Sequence, residues 1–258
     1  MALYPSMPEP QVTIVVVPRE RFSHTERTLE NIYKHTTFPF NLVYVAGKSP
    51  DRIQRYLEVE SQRRGFHLID GPRYLAPNQA RNLGIREVNT KYTVFLDNDA
   101  LVSSDWLEAL VQCAEETDAW VVGPVYFIGE FERQIVHMAG GTVHVKDHDG
   151  KRVLYEEQYC LNTPLRAVRD SLLRRTCGHL EFHCLLARTD VFDKLGPLDE
   201  ELLSVHEHLD FCMAVRRAGG ERFTSNLSGL HGNLRQWLRS CTESSTRRRL
   251  LNCAMVGD

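Results

Sequence analysis

Two aspartates one residue apart, Asp97-Asn98-Asp99, follow directly on the apolar run Tyr92-Thr93-Val94-Phe95-Leu96. Carboxylates at that spacing form a hard-oxygen site for Mg²⁺ or Mn²⁺ and leave room for phosphate oxygens. The spacing alone is cheap. Asp147-His148-Asp149 repeats it, but the following Gly150 marks that copy as hairpin-turn chemistry. Position separates the two, because ligands of open parallel sheets sit beyond the carboxyl ends of the strands. Val17-Pro18-Arg19-Glu20-Arg21 closes the first apolar run and would line the same crevice. Pro77-Asn78-Gln79-Ala80-Arg81-Asn82 opens the helix before the acidic strand, and an arginine at a helix N-terminus suits a diphosphate. His206-Glu207-His208-Leu209-Asp210 opens the last clear helix, with Glu207 and Asp210 on one face. Those carboxylates either answer the helix dipole or supply a general base for a substrate hydroxyl.

The elements that must hold these groups alternate. Val12 to Val17 is a β-branched run of the kind buried on both faces of a parallel sheet. Ser23 and Glu26 have capping-box spacing for a helix carrying Leu29, Ile32 and Tyr33. Leu42 to Val45 reads as a strand, then Ser49-Pro50 as N-cap and first helical residue. Phe66 to Ile69, Tyr92 to Leu96 and Ala119 to Val122 are further strands, with helices over 78–88 and from about Asp105. This is an α/β pattern, a Rossmann-like mostly parallel sheet flanked by helices. After Gly123-Pro124 the turn signals Gly140-Gly141 and Asp149-Gly150 announce a smaller antiparallel region, followed by a basic connection over 161–175. Cys184 to Ala187 is a buried strand, and Glu207 to Ala218 a helix stopped by Gly219-Gly220.

Composition narrows the classes. The 258 residues carry 31 basic and 34 acidic side chains, a balance that excludes binding of nucleic acid or membrane by bulk positive charge. No apolar run reaches the roughly 18–20 residues of a spanning helix, and the N-terminus has neither basic start nor apolar core. The expectation is a cytoplasmic protein, peripheral to a membrane only through its acceptor. Seven scattered cysteines read as reduced and buried. Cys177, His179, His183 and Cys184 fall close together, but a structural zinc takes paired ligands from separated loops. Strand alternation would also send Cys184 to the face opposite the other three, so no zinc site is read from that run.

VTIVVVPRERF, LAPNQARNLGI, YTVFLDNDA with Trp106 following, HMAGG, and the run from CLLARTDVFDKLGPLDEEL to EHLDFCMAVRRAGG together resemble a family 2 glycosyltransferase of the GT-A fold over residues 11–220. The resemblance implies a nucleotide-sugar-binding half at 11–124 and an acceptor-side half at 125–220. It implies that Asp99 holds the divalent metal on the donor diphosphate, with Asp97 beside it, and that Pro18, Arg19, Glu20, Arg81 and Asn98 line the nucleotide. Gly140, Gly141 and Glu181 would face the acceptor, a glycan, lipid or polysaccharide hydroxyl. Inverting transfer is implied, with a carboxylate deprotonating that hydroxyl.

Three departures from the family pattern stand out. Ala46 replaces an acidic contact to the nucleobase. His208 stands where the first Asp of Glu-Asp-x-Asp acts as base, so Glu207, Asp210 or His208 itself takes that role. Residues 221–258 depart from the family's V-Y-F-E-P strand and show no sustained strand pattern, although 234–251 could form a basic helix. Read out of frame, 221–227 permits T-F-Y-F-E-P, so a frameshifted or disordered tail is expected, and His231 as a third metal ligand is unsafe. These departures keep a second reading open, a catalytically weak sugar-nucleotide-binding module. A nucleotidyltransferase is a third, although PRERF lacks the glycine-rich loop.

Overall fold

The computed structural model describes residues 9–19, 22–71, 73–129, 131–203 and 205–232, with the side chains of 131 and 226–232 excluded. The strands are β1 Val12–Val17, β2 Phe40–Gly47, β3 His67–Asp70, β4 Tyr92–Asp97, β5 Ala100–Val102, β6 Val121–Ile128, β7 Ile135–Met138, β8 Gly141–His148, β9 Lys151–Gln158, β10 Thr163–Pro164, β11 Arg175–Thr176, β12 Cys184–Arg188 and β13 Arg222–Gly232. The α-helices are α1 Thr25–His35, α2 Asp51–Arg64, α3 Pro77–Ile85, α4 Trp106–Thr117, α5 Leu165–Val168, α6 Asp190–Leu195 and α7 Glu207–Arg217.

The main sheet runs β10-β7-β6-β12-β4-β1-β2-β3. β3, β2, β1 and β4 are parallel, and β12 enters antiparallel between β4 and β6. Every residue of β1, β4 and β6 is buried, as a strand covered on both faces requires. The order 2-1-4 is a topological switch: the chain leaves β1 toward β2 and later returns on its other side as β4. Val17 stands opposite Asp97 in that pairing, so the segments after both strands emerge together.

Several local expectations fail for identifiable reasons. Ser23 makes no cap; Phe22–His24 is a 3₁₀ turn and His24, the N-cap of α1, is in the right-handed helical region. Thr25 is instead tied at the helix start by Asn98 Nδ2 (3.2 Å) and the Tyr44 hydroxyl (3.4 Å). Ser49 donates back to the Ala46 carbonyl (2.9 Å), and extended Pro50 is the N-cap of α2. Pro124 does not end its strand. β6 continues to Ile128, and Pro124 lies in the break between two registers of β13, at Gly123 and Val125, where a missing N–H costs little. The 161–175 connection contains α5 and the start of β11. Residues 177–183 form no strand, so the alternation read there does not apply. The hairpin is as expected: β8 and β9 pair through Asp149 and Gly150, both at positive φ (51° and 76°). A strand also exists where none was read, because β13 pairs with β6, β5 and β11. Arg222 is buried at its start and donates to the Cys177 and Gly220 carbonyls. Residues 233–258, including the expected basic helix, lie outside the described residues.

α3 reaches the sheet through Gly84, where an added Cβ would sit 2.2 Å from Val15 Cγ1. Gly84→Ala should therefore lower stability by about 1–3 kcal/mol in denaturant titration, against the ordinary helix-propensity gain. An unchanged or raised midpoint would show that α3 can withdraw from β1 at no cost.

Candidate active site

The site is built at the carboxyl ends of β1 and β4, where three segments meet around Asp97. The Asn98 amide donates to the Val17 carbonyl (3.0 Å), and Asn98 Oδ1 accepts from the Arg19 amide (2.8 Å). The Asp97 amide donates to the His183 carbonyl (3.1 Å), because β12 runs antiparallel to β4 and its entry lies beside the exit of β4. Asp97, fully buried, then meets His183 Nδ1 at 2.7 Å, Arg19 Nε at 3.6 Å and Arg81 Nη2 at 3.6 Å. The same two arginines face Glu207 Oε1, at 3.6 Å from Arg19 and 3.7 Å from Arg81. Two carboxylates and two guanidiniums from β4, α7, the β1 exit and α3 thus form one buried lattice.

α3 and α7 are held in register by long-range clamps. Asn78 donates to the Asp199 carbonyl (2.7 Å), while Asn82 donates to the Leu198 carbonyl (2.8 Å) and accepts from its amide (2.9 Å). Residues four apart on one helix face therefore fix the loop that leads into α7. His206, the N-cap of α7, is left-handed at φ 68°, a conformation a side chain adopts at a cost of about 1 kcal/mol. Arg81 is buried over the Phe182 ring (4.1 Å) and accepts no relief from solvent.

Electrostatics follow from this packing. Burial pushes Arg81 down to about 10, with Asp97 and Glu207 opposing that shift, so it stays charged at neutral pH. Burial works to raise the Asp97 carboxyl, but Arg19, His183 and Arg81 outweigh it and hold it below its ordinary value. Burial likewise works against the His183 cation, yet the Asp97 hydrogen bond and Glu181 raise it to about 9. Glu181 lies 3.5 Å from His183 Nε2, is hydrogen-bonded by His137 (3.1 Å) and Gln158 (3.0 Å), and is driven well below the carboxylate range despite burial.

The expected residues distribute as follows. Arg19, Arg81, Asp97, Asn98 and Glu207 come together. Asp99 follows at the mouth of β4, half-buried, and Pro18 is buried beside half-buried Arg19. Glu20 lies outside the described residues. Glu181 joins the cluster's edge through His183. Gly140 and Gly141 are buried against Cys177, Thr224 and His179. Asp210 is exposed one turn further along α7, where burial and Asp199 raise its carboxyl. His208 packs away from the lattice, toward Glu156 (3.5 Å) and His179. Ala46 is buried at the end of β2. His231 registers with Leu101 and Phe127 along β13. His183, His137, Asn78 and Asn82 had no sequence signal for these partners, since each contact spans dozens of residues.

A carboxylate pair at the switch point of such a sheet, with buried Arg81 and half-buried Arg19 beside it, lies where ligands of open α/β sheets bind. The chain belongs to glycosyl transferase family 2, whose family model matches residues 13–196. Its fold is the GT-A glycosyltransferase fold. GalNAc-T7, solved with UDP, GalNAc and Mn²⁺, is similar at TM-score 0.65 and 16% identity, over 89% of this chain and 44% of that one. The mannosyltransferase PcManGT of Pyrobaculum calidifontis, solved with GDP-Man and Mn²⁺, gives 0.61 and 15%, over 88% and 58%. TarS of S. aureus, solved with UDP-GlcNAc, gives 0.58 and 17%, over 86% and 58%. A Sinorhizobium fredii protein, "Uncharacterized protein y4gI", is 23% identical over 223 residues, and the chain spans about a quarter (24%) of its length. No described helix is long and apolar enough to cross a membrane.

Because His183 is raised above its unfolded value, its contribution to stability is complete below about pH 6.5 and is lost as pH rises through about 9. In metal-free buffer, the stability difference between the wild type and His183→Gln should shrink across that window. A difference that is flat or widens with pH would mean that His183 carries no charge against Asp97.

Proposed function

We propose that this chain is an inverting glycosyltransferase that moves a sugar from a nucleoside-diphosphate sugar to an acceptor hydroxyl. The observation that carries the reading is the buried lattice of Asp97, Glu207, Arg19 and Arg81 at the switch point, with Asp99 at its mouth. Similarity to proteins solved with UDP, GDP-Man and UDP-GlcNAc, two of them with Mn²⁺, supports it. In this reading residues 11–124 bind the donor, and 125–220, including Gly140, Gly141 and Glu181, shape the acceptor side.

The residues fit a hard divalent cation. Asp97 Oδ1 is buried without a hydrogen-bond partner, and Asp99 brings a second carboxylate two residues on. Asp99, with Asp97 behind it, would hold Mn²⁺ or Mg²⁺. That ion supplies Lewis-acid neutralisation of the charge that develops on the leaving diphosphate. Arg81, already desolvated and held 3.6 Å from Asp97, would add a fixed positive charge behind the diphosphate. Arg19, the more exposed of the pair, exchanges its carboxylates for phosphate oxygens. Glu207 is assigned as general base over Asp210 and His208 because it alone of the three shares its arginines with Asp97. Pro18 and Asn98 position the Arg19 loop, the latter through its hydrogen bond to the Arg19 amide.

Asp99→Ala should abolish Mn²⁺-dependent binding of UDP or GDP in calorimetry with no loss of fold, whereas Asp149→Ala in the hairpin turn should leave it unchanged. Equal effects would remove the positional argument. Glu207→Gln should keep donor binding and lower transfer by about 10²–10⁴-fold, the usual worth of a positioned base. Unchanged transfer would reassign the base to Asp210 or His208. Donor binding by the wild type with no transfer or donor hydrolysis would support the non-catalytic binding module, and pyrophosphate release from a nucleoside triphosphate would indicate a nucleotidyltransferase.

A further inference from the structure

Beyond the donor site, a second group of ligating side chains converges from three separate segments. Glu156 projects from β9 of the outer hairpin, His179 from the loop before β12, and His208 from the first turn of α7. Glu156 Oε2 lies 3.5 Å from His208 Nε2 and 4.0 Å from His179 Nε2, and one ligand atom from each residue falls within 4.8 Å of the others. Two ligands on one tetrahedral zinc stand about 3.4 Å apart, given bonds of about 2.1 Å. Only a small closure separates the observed group from that geometry.

The polar bookkeeping points to a missing ligand. His179 is completely buried, and neither ring nitrogen has a hydrogen-bond partner; His208 Nε2, buried too, has the Glu156 carboxylate 3.5 Å away but no hydrogen bond. A buried imidazole with both nitrogens unsatisfied is destabilising unless something binds there. The neighbouring group of His137, Glu181 and His183 is different, because Glu181 accepts hydrogen bonds from His137 and Gln158, and His183 bonds Asp97. Two imidazoles and one carboxylate are borderline-soft donors that suit zinc or cobalt, unlike the all-oxygen pair Asp97 and Asp99. Half-exposed Glu156 leaves a route for the ion to enter.

We propose that Glu156, His179 and His208 bind one transition-metal ion of the zinc class, which staples the β8–β9 hairpin to the start of α7. This site is separate from the carboxylates assigned to the donor. It also gives His208 a role other than proton transfer. The ion holds α7 at the residue after Glu207, so its occupancy bears on how firmly that carboxylate is placed.

The test uses the untagged full chain, stripped of metal and titrated with Co²⁺ and Zn²⁺, in the wild type, Asp99→Ala, Glu156→Gln and His208→Gln. Wild type and Asp99→Ala should each bind one equivalent of Zn²⁺, show the visible absorption of four- or five-coordinate Co²⁺, and gain thermal stability on loading. Glu156→Gln and His208→Gln should fold, yet lose about 100-fold or more in Zn²⁺ affinity together with the Co²⁺ spectrum. Circular dichroism of the metal-free variants separates a lost site from a lost fold. A wild type that takes up no stoichiometric Zn²⁺, or variants that bind it as tightly as the wild type, would overturn the proposal. So would binding lost in Asp99→Ala alone, which would place the ion at the donor carboxylates.

Discussion

The site depends on a buried charge lattice that is paired but incompletely hydrogen-bonded. Asp97 and Glu207 each stand 3.6–3.7 Å from Arg19 and Arg81, close enough to cancel charge in a poorly solvated pocket. An unpaired charge there would cost several kcal/mol, so removing any member exposes the others to that penalty. Asp97 Oδ1 and Arg81 Nε are buried there without a hydrogen-bond partner. Much of the surrounding architecture serves to bring these four side chains from β4, α7, the β1 exit and α3 to one point.

The topology explains why that point is where it is. Parallel pairing of Val17 with Asp97 brings the two strand exits level, and antiparallel β12 returns His183 to the same end. Asn78 and Asn82 then fix the 198–200 loop, which orients α7 and so Glu207. Changes in those asparagines would act at a distance on a carboxylate they do not touch.

The strands were legible in the sequence, because apolar, β-branched runs closed by polar or turn residues are local patterns, and Asp97 does close β4. The structure places Asp99 after β4 and Asp149 in a hairpin turn, as position predicts, and the turn at Asp149-Gly150 is the one that its residues demand. What the sequence did not carry was tertiary. Ser23 and Ser49 have the chemistry of caps, but His24 and Pro50 are the N-caps, and Thr25 at the start of α1 is tied by Asn98 and Tyr44 from elsewhere in the chain. Pro124 looks like a stop and is absorbed at a register break. The His179–His183 stretch was judged against a zinc site made from its own cysteines. In the fold its two histidines part, one to Asp97 and one to Glu156 and His208, ligands from separated segments of the kind a metal uses.

The most direct measurement is a crystal structure with Mn²⁺ and a nucleoside diphosphate, with the ion located by its anomalous scattering. The account requires Mn²⁺ bonded to the Asp99 carboxylate and to the diphosphate, with Arg81 still against Asp97 and Arg19 turned to a phosphate oxygen. A diphosphate bound elsewhere, or an ion remote from Asp97 and Asp99, would contradict it.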